Sequence, residues 1–183
     1  MKELFVSLNN IRLMSYELQN YLMGILKCER FKKGQIIVRK GQVCRRIYFV
    51  ESGITRNFYF AERKEVNSWL QKEGDYVIVV KSFLSQLPGE ESIQALEDCI
   101  VWSITYAQLE EVCRLFPEFV QHWKNIETVY YVKREERMVL FQAMGPKEKI
   151  EWFKKNEQEL FKRIKQKKHI RNYLGVSRDY PMD

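Results

Sequence analysis

The sequence is short of the residues that carry most active-site chemistry. It has two histidines, His122 and His169, far apart, and four cysteines, Cys28, Cys44, Cys99 and Cys113, with no C-x-x-C pair. Scattered thiols of this kind suit a reducing compartment and buried or idle roles, not a disulfide frame or a metal centre. Gly-rich phosphate loops, H-E-x-x-H and nucleophile motifs are all missing, so the sequence points away from an enzyme and asks for no cofactor. No apolar run approaches the ~20 residues of a membrane helix. The N-terminus also lacks the basic region, apolar core and small-residue cleavage site of a secretory signal. The expectation is a cytoplasmic protein with no membrane partner.

What is present is 183 residues, 45% hydrophobic and 30% charged, enough to bury the core of one average domain or two small ones. A net charge of +7 permits nucleic-acid binding without requiring it. The chain is organised around residues 31–104, a run of short segments rich in Ile, Val, Tyr and Phe with Gly34, Gly41 and Gly53 between them. Such segments suit pleated, half-buried surfaces, and glycine permits the turns. The run continues through residues 66–70, 75–80 and 92–104 with no long helical pattern, which predicts six to eight strands in a closed or sandwiched antiparallel unit. Metal-dependent cupin enzymes share that outline but need clustered histidines. Here both histidines lie outside the run, His122 read as a helix-surface imidazole and His169 as part of a basic face.

Residues 1–27 read as helical, with Ser15 a cap ahead of Leu18. After the β run, residues 106–115 form a short helix that stops near Pro117, and a long helix continues to about Ala143. Its Phe119, Trp123, Ile126 and Tyr130 recur at steps of four and three, an apolar seam that turns polar at Lys133 and Arg137. Gly145-Pro146 ends this helix, because Gly is favoured just past a helix end and Pro in a first turn. A further helix is expected from Lys147 to about Arg163.

The phrases F-K-K-G-Q-I-I, G-Q at Gly41, I-Y-F-V-E-S-G and Gly74-Asp75-Tyr76 resemble the Crp/Fnr family of bacterial regulators. The resemblance implies an α+β fold: an antiparallel jelly-roll β-roll of the cyclic nucleotide-binding type flanked by helices, a long dimerisation helix, and a short helical remnant of a winged helix-turn-helix. Residues 1–144 would then be the sensor domain and 145–183 a truncated DNA-binding domain. In the family's cyclic-nucleotide binders a Gly and a Glu after the sixth strand take the ribose, and an Arg-Ser pair takes the cyclic phosphate. A desolvated phosphate needs such a fixed guanidinium. Aligned between Gly74-Asp75-Tyr76 and Ile93-Gln94-Ala95, these positions fall on Ile78, Val79, Gly89 and Glu90, with Glu91 and Ser92 following. This degenerate cassette is not expected to hold a cyclic nucleotide in the family's manner unless Lys81 or Arg56 compensates. An unidentified small-molecule effector stays open, with Trp69, Tyr76, Phe83 and Phe58 either lining an apolar cavity or filling the core.

The resemblance further implies that the Phe119, Trp123, Ile126 and Tyr130 seam pairs with its copy in a twofold homodimer; the alternative is that it packs on its own roll in a monomer. Residues 168–177 look like the first half of the family's helix-turn-helix, with Ile170 and Leu174 facing the core, Gly175 at the turn and Ser177 capping the recognition helix. Only Arg178, Asp179 and Tyr180 precede Pro181, so the base-reading helix is expected to be missing. Lys162, Arg163, Lys165, Lys167, Lys168, Arg171 and Arg178 would remain, either for weak, salt-sensitive phosphate contact or as a solvated basic face. Two readings follow: a Crp/Fnr-type regulator with a shortened DNA-binding end, or a DNA-incompetent sensing or dimerisation module that sequesters a full-length relative.

Overall fold

The structure, a computed structural model, describes residues 1–177 and 180–182. Eight strands form two four-stranded antiparallel sheets. One holds β1 (Lys27–Phe31), β8 (Cys99–Thr105), β3 (Arg46–Ser52) and β6 (Tyr76–Val77) in that order; the other holds β2 (Ile36–Val38), β7 (Ser92–Ala95), β4 (Thr55–Ala61) and β5 (Lys64–Gln71). This is the β-roll the residue pattern called for. It closes around Phe49, Val50, Val101 and Ile93, all at most 2% exposed. Gly53 shows why glycine is needed at one turn. Its φ is +96°, and a Cβ there would sit 2.6 Å from the Asp98 carbonyl oxygen.

One segment read as a strand is shorter than expected. β6 ends at Val77, and the chain turns into the short helix α3 (Val80–Ser85), so Val80 is helical. The N-terminal segment is two helices, α1 (Lys2–Ile11) and α2 (Tyr16–Ile25). Ser15 caps the second as expected, its Oγ accepting from the Leu18 amide at 3.2 Å. The break before it is fixed from outside, since the Ser15 amide and hydroxyl both donate to the Glu118 carboxylate.

Beyond the roll lie α4 (Tyr106–Leu115), with a Thr105–Gln108 capping box, and α5 (Pro117–Ala143), of 27 residues. At 1.5 Å per residue α5 is about 40 Å long. The expected helix after Gly145-Pro146 is divided into α6 (Pro146–Asn156) and α7 (Gln158–Arg163) by non-helical backbone at Glu157, with φ −123° and ψ 45°. The bend serves packing: Ile150 and Phe153 of α6 and Leu160 of α7 share one cluster. α8 (Lys168–Leu174) follows, with Gly175 left-handed at its C-cap, and Ile170 and Leu174 are fully buried as the sequence implied.

These last helices do not stand apart from the roll. Their core includes Ile54 and Leu70, and α8 lies against β5.

Candidate functional site

The cassette between β6 and β7 is built around α3. Phe83 anchors it, fully buried against the rings of Tyr106 and Trp123. Ser82 fastens its far end, accepting from the Cys44 amide at 2.9 Å and donating to the Leu87 carbonyl at 2.5 Å. Gly89, the position expected from the resemblance to stand where a phosphate-binding arginine would, packs on this knot. A Cβ there would lie 2.9 Å from Ser82 Cβ and 3.1 Å from Val79 Cγ1. No side chain of any kind fits without displacing α3.

The neighbouring positions are equally committed. Val79 is buried and Ile78 half-buried. Glu90 is exposed and paired with Lys40 at 2.8 Å, which lowers its pKa. Ser92 Oγ accepts from the Lys40 amide at 2.9 Å. Glu91 turns inward, its Oε2 3.4 Å from Asn57 Nδ2. Of the two cations considered as substitutes, Lys81 is exposed and acts on Glu90 through its charge, and Arg56 is bonded to Glu65, Asn67 and Gln94.

Polar side chains of the chain itself fill the lumen beside the cassette. Thr55 Oγ1 donates to Gln71 Oε1 at 3.0 Å, Gln71 Nε2 to Asn57 Oδ1 at 2.8 Å, and Asn57 Nδ2 to the Ile78 carbonyl at 2.8 Å. All three side chains are at most 3% exposed. This ladder ties β4, β5 and the cassette together and leaves few unmet hydrogen-bonding groups for a ligand. Among the described residues no group of three or more metal-ligating side chains gathers there or elsewhere.

The aromatics named for an apolar cavity do not converge. Phe83 is core, Phe58 lies on the outer face under the Arg56 guanidinium, and Trp69 and Tyr76 both touch Tyr130 of α5. A small apolar cavity of about 40 Å³ lies instead under the helices, between Leu8, Leu22, Leu109, Trp123 and the outer side of β3.

The outer face of β4–β5 carries a second polar cluster that the sequence reading missed. Arg56, 4% exposed, makes a bidentate pair with Glu65 at 2.7 and 3.1 Å. It also donates to Gln94 Oε1 at 2.9 Å and Asn67 Oδ1 at 2.9 Å. Its Nη1 lies 3.0 Å from His169 Nδ1 of α8. Asn67 Nδ2 donates to the His169 carbonyl at 2.7 Å, and Asn172 Nδ2 to Glu65 at 3.1 Å. His169 is thus a buried docking residue and not part of a basic face. Burial, then the charge of Arg56, bring its pKa down to about 4.

A β-bulge makes the cluster possible. Asn57 pairs with Trp69 but Phe58 with Asn67, so Ser68 is left over and the strand's alternation shifts. Asn67 and Glu65 therefore join Arg56 on the outer side. A second hub adjoins it. Arg163 binds Glu73 at 2.7 and 2.9 Å, Glu97 at 2.5 Å and Glu159 at 2.6 Å. Burial would raise the Glu73 pKa, but the Arg163 bonds outweigh it and hold it at about 2.

The α5 seam packs on the chain's own roll. Phe119 and Ile126 are buried in the chain's own core, with Trp123 and Tyr130 packed against it. Tyr130 Oη accepts from the Tyr76 amide at 2.7 Å and donates to Asp75 at 3.2 Å. The roll offered the nearest apolar surface, so the heptad-like stripe is covered within the chain. His122 follows the same face and is fully buried beside Phe119, not on the surface. Arg137, where the seam turns polar, reaches the Ser68 and Tyr173 carbonyls with Trp69, Phe141 and Tyr173 around it.

In the C-terminal basic cluster, Lys162, Lys165 and Lys168 are exposed. Lys167 donates to the Phe161 carbonyl over that ring, and Arg171 to the Tyr180 carbonyl at 3.2 Å. Arg163 is not available, being held by three glutamates, and Arg178 lies outside the described residues. Of the thiols, Cys44 and Cys99 are buried with raised pKa values, the latter pushed up by burial to about 11. No helix among the described residues is long and apolar enough to cross a membrane.

Residues 28–115 match the sequence family of the cyclic nucleotide-binding domain. No curated protein matches the chain in sequence. Solved structures match its fold. A protein from Eubacterium rectale assigned to the Crp/Fnr family of transcriptional regulators superposes with a TM-score of 0.74 at 16% identity, over 91% of this chain and 79% of that one. FixK2 from Bradyrhizobium japonicum gives 0.70 at 15% identity, over 84% and 79%. The c-di-GMP-responsive global regulator CLP from Xanthomonas campestris gives 0.68 at 14% identity, over 90% and 87%.

Proposed function

We propose that this chain, with its roll of the cyclic nucleotide-binding type, is a Crp/Fnr-type transcriptional regulator whose roll does not take cyclic nucleotides. The observation that carries the second half is Gly89, closed in by Ser82 and Val79 where a phosphate-binding arginine would stand. An anionic phosphodiester there would meet Glu91 and a lumen already bonded to itself, and its desolvation would go unpaired. Calorimetric titration with cyclic AMP and cyclic GMP tests this. Heat that saturates at micromolar ligand would overturn it.

The regulator acts as a homodimer through the side of α5 opposite the roll, where Val120, Tyr131, Val132, Met138 and Val139 are 43–65% exposed. DNA contact, where it occurs, runs through Lys165, Lys168 and Arg171 to phosphates, giving binding that falls steeply with salt and is indifferent to sequence. Light scattering and a salt titration on random duplex DNA check both. A monomer, or a salt-resistant preference for one palindrome, counts against this reading.

The docking of α8 on the roll favours a second reading, a sensing or dimerisation module that pairs with another regulator of this type and withholds it from DNA. In that case the dimer forms without measurable DNA affinity even at low salt.

A further inference from the structure

The small apolar cavity under the helices shares no lining residue with the lumen ladder or the cassette. α1 and α2 close it from one side with Leu4, Leu8 and Leu22, α4 adds Leu109, and the roll supplies Phe49 and Tyr76. Protein cores pack with few spaces larger than a water molecule, so a void of about 40 Å³ deprives its lining of dispersion contacts. Water does not restore them, because a buried water needs roughly two to four polar partners and this wall is almost wholly carbon. The wall does hold an unused polar group. Tyr76 Oη is buried and has no hydrogen-bond partner among the described residues, with Ser7 of α1 close by but not bonded to it. Burial pushes the Tyr76 pKa up to about 12, so the hydroxyl keeps its proton and is an unspent donor.

We propose that this cavity is a binding site for a short neutral molecule whose apolar body fills the space and whose single acceptor takes the Tyr76 hydroxyl, as in a small aldehyde or nitrile. Size sets the first limit. A dry cavity of about 150 Å³ holds benzene; by that measure about 40 Å³ holds roughly two or three non-hydrogen atoms, depending on how far the leucines yield. Charge sets the second, since a carboxylate or phosphate would be desolvated without a partner. An alcohol fits less well, because it brings a donor of its own and leaves one proton of the pair unbonded. The site requires neither DNA nor a second copy, so its failure is distinguishable from failure of the regulator reading.

Methyl-detected NMR on the full chain tests this with acetonitrile and xenon as probes. Both should give saturable shifts confined to the methyls of Leu4, Leu8, Leu22 and Leu109, with those of Ile150, Ile164 and Leu174 in the second core unmoved. Tyr76→Phe should leave xenon binding intact and weaken acetonitrile roughly three- to tenfold, the change that goes with one hydrogen bond. Leu109→Phe, or Leu8→Phe should the first fold poorly, fills the space and should abolish both. Shifts spread over both cores, xenon binding without acetonitrile binding, an unchanged acetonitrile affinity in Tyr76→Phe, or binding that survives the filling would each overturn the proposal.

Discussion

Replacing Arg56 with Met is the sharpest perturbation of this fold. The methionine conserves length and burial but removes a guanidinium that is 4% exposed and serves Glu65, Asn67, Gln94 and His169. Glu65 would keep only its bond from Asn172, and two amide oxygens would lose their donor. Breaking a buried ion pair from one side costs about 3–5 kcal/mol, against a total stability of about 5–15 kcal/mol for a typical domain. For a chain of this size each kcal/mol moves the melting temperature by about 2–4 °C, so the melt should fall by about 6–20 °C. The double variant Arg56→Met/Glu65→Met should recover a large part of that loss, since the stranded carboxylate is gone. Lys32→Met, which breaks the exposed Lys32–Asp98 pair, should change little. Thermal and urea melts followed by circular dichroism read all three. A loss below about 1 kcal/mol for Arg56→Met, or a double variant no better than the single, would refute the view that this cluster holds the C-terminal helices.

Acid should loosen the same contact. His169 Nδ1 can accept from Arg56 only when the ring is neutral, and its pKa is held at about 4 in the fold against about 6.5 in an unfolded chain. Docking is therefore at full strength above pH ~6.5 and weakens as pH falls towards 4, by up to about 3 kcal/mol. Melts stepped from pH 7.5 to 4.5 should show that slope, and His169→Gln should flatten it. Glu73, whose pKa is depressed to about 2, adds a further loss below pH ~4.5. Gly89→Arg should not create cyclic-nucleotide binding by calorimetry and should cost about 1–3 kcal/mol by overpacking Ser82 and Val79; micromolar binding by this variant would contradict the closed cassette. Gly53→Ala should be more harmful, at about 3 kcal/mol or more, because its Cβ meets backbone at 2.6 Å and its φ is +96°. A melt within 2 °C of the parent would show that the turn yields.

Local chemistry was legible in the sequence wherever it was local in the chain. The strand run, the Ser15 cap, the end of α5 at Gly145-Pro146 and the burial of Ile170 and Leu174 each depend on residues within a few positions of one another. The break at Glu157 was not legible, because it answers to packing with Ile150 and Phe153. Nor were the burials of His122 and His169, whose neighbours come from distant segments.

The amino-acid order by itself determined the antiparallel roll and the helices around it, because propensity and turn chemistry act over short spans. Only the tertiary structure decided which surface each face would meet. It turned the α5 stripe onto the chain's own roll and closed the space at Gly89 with Ser82. Through a single bulge at Ser68 it placed Asn67 and Glu65 beside Arg56. That shift of one residue reverses which side of a strand faces out, and no alternation read along the chain specifies where it falls.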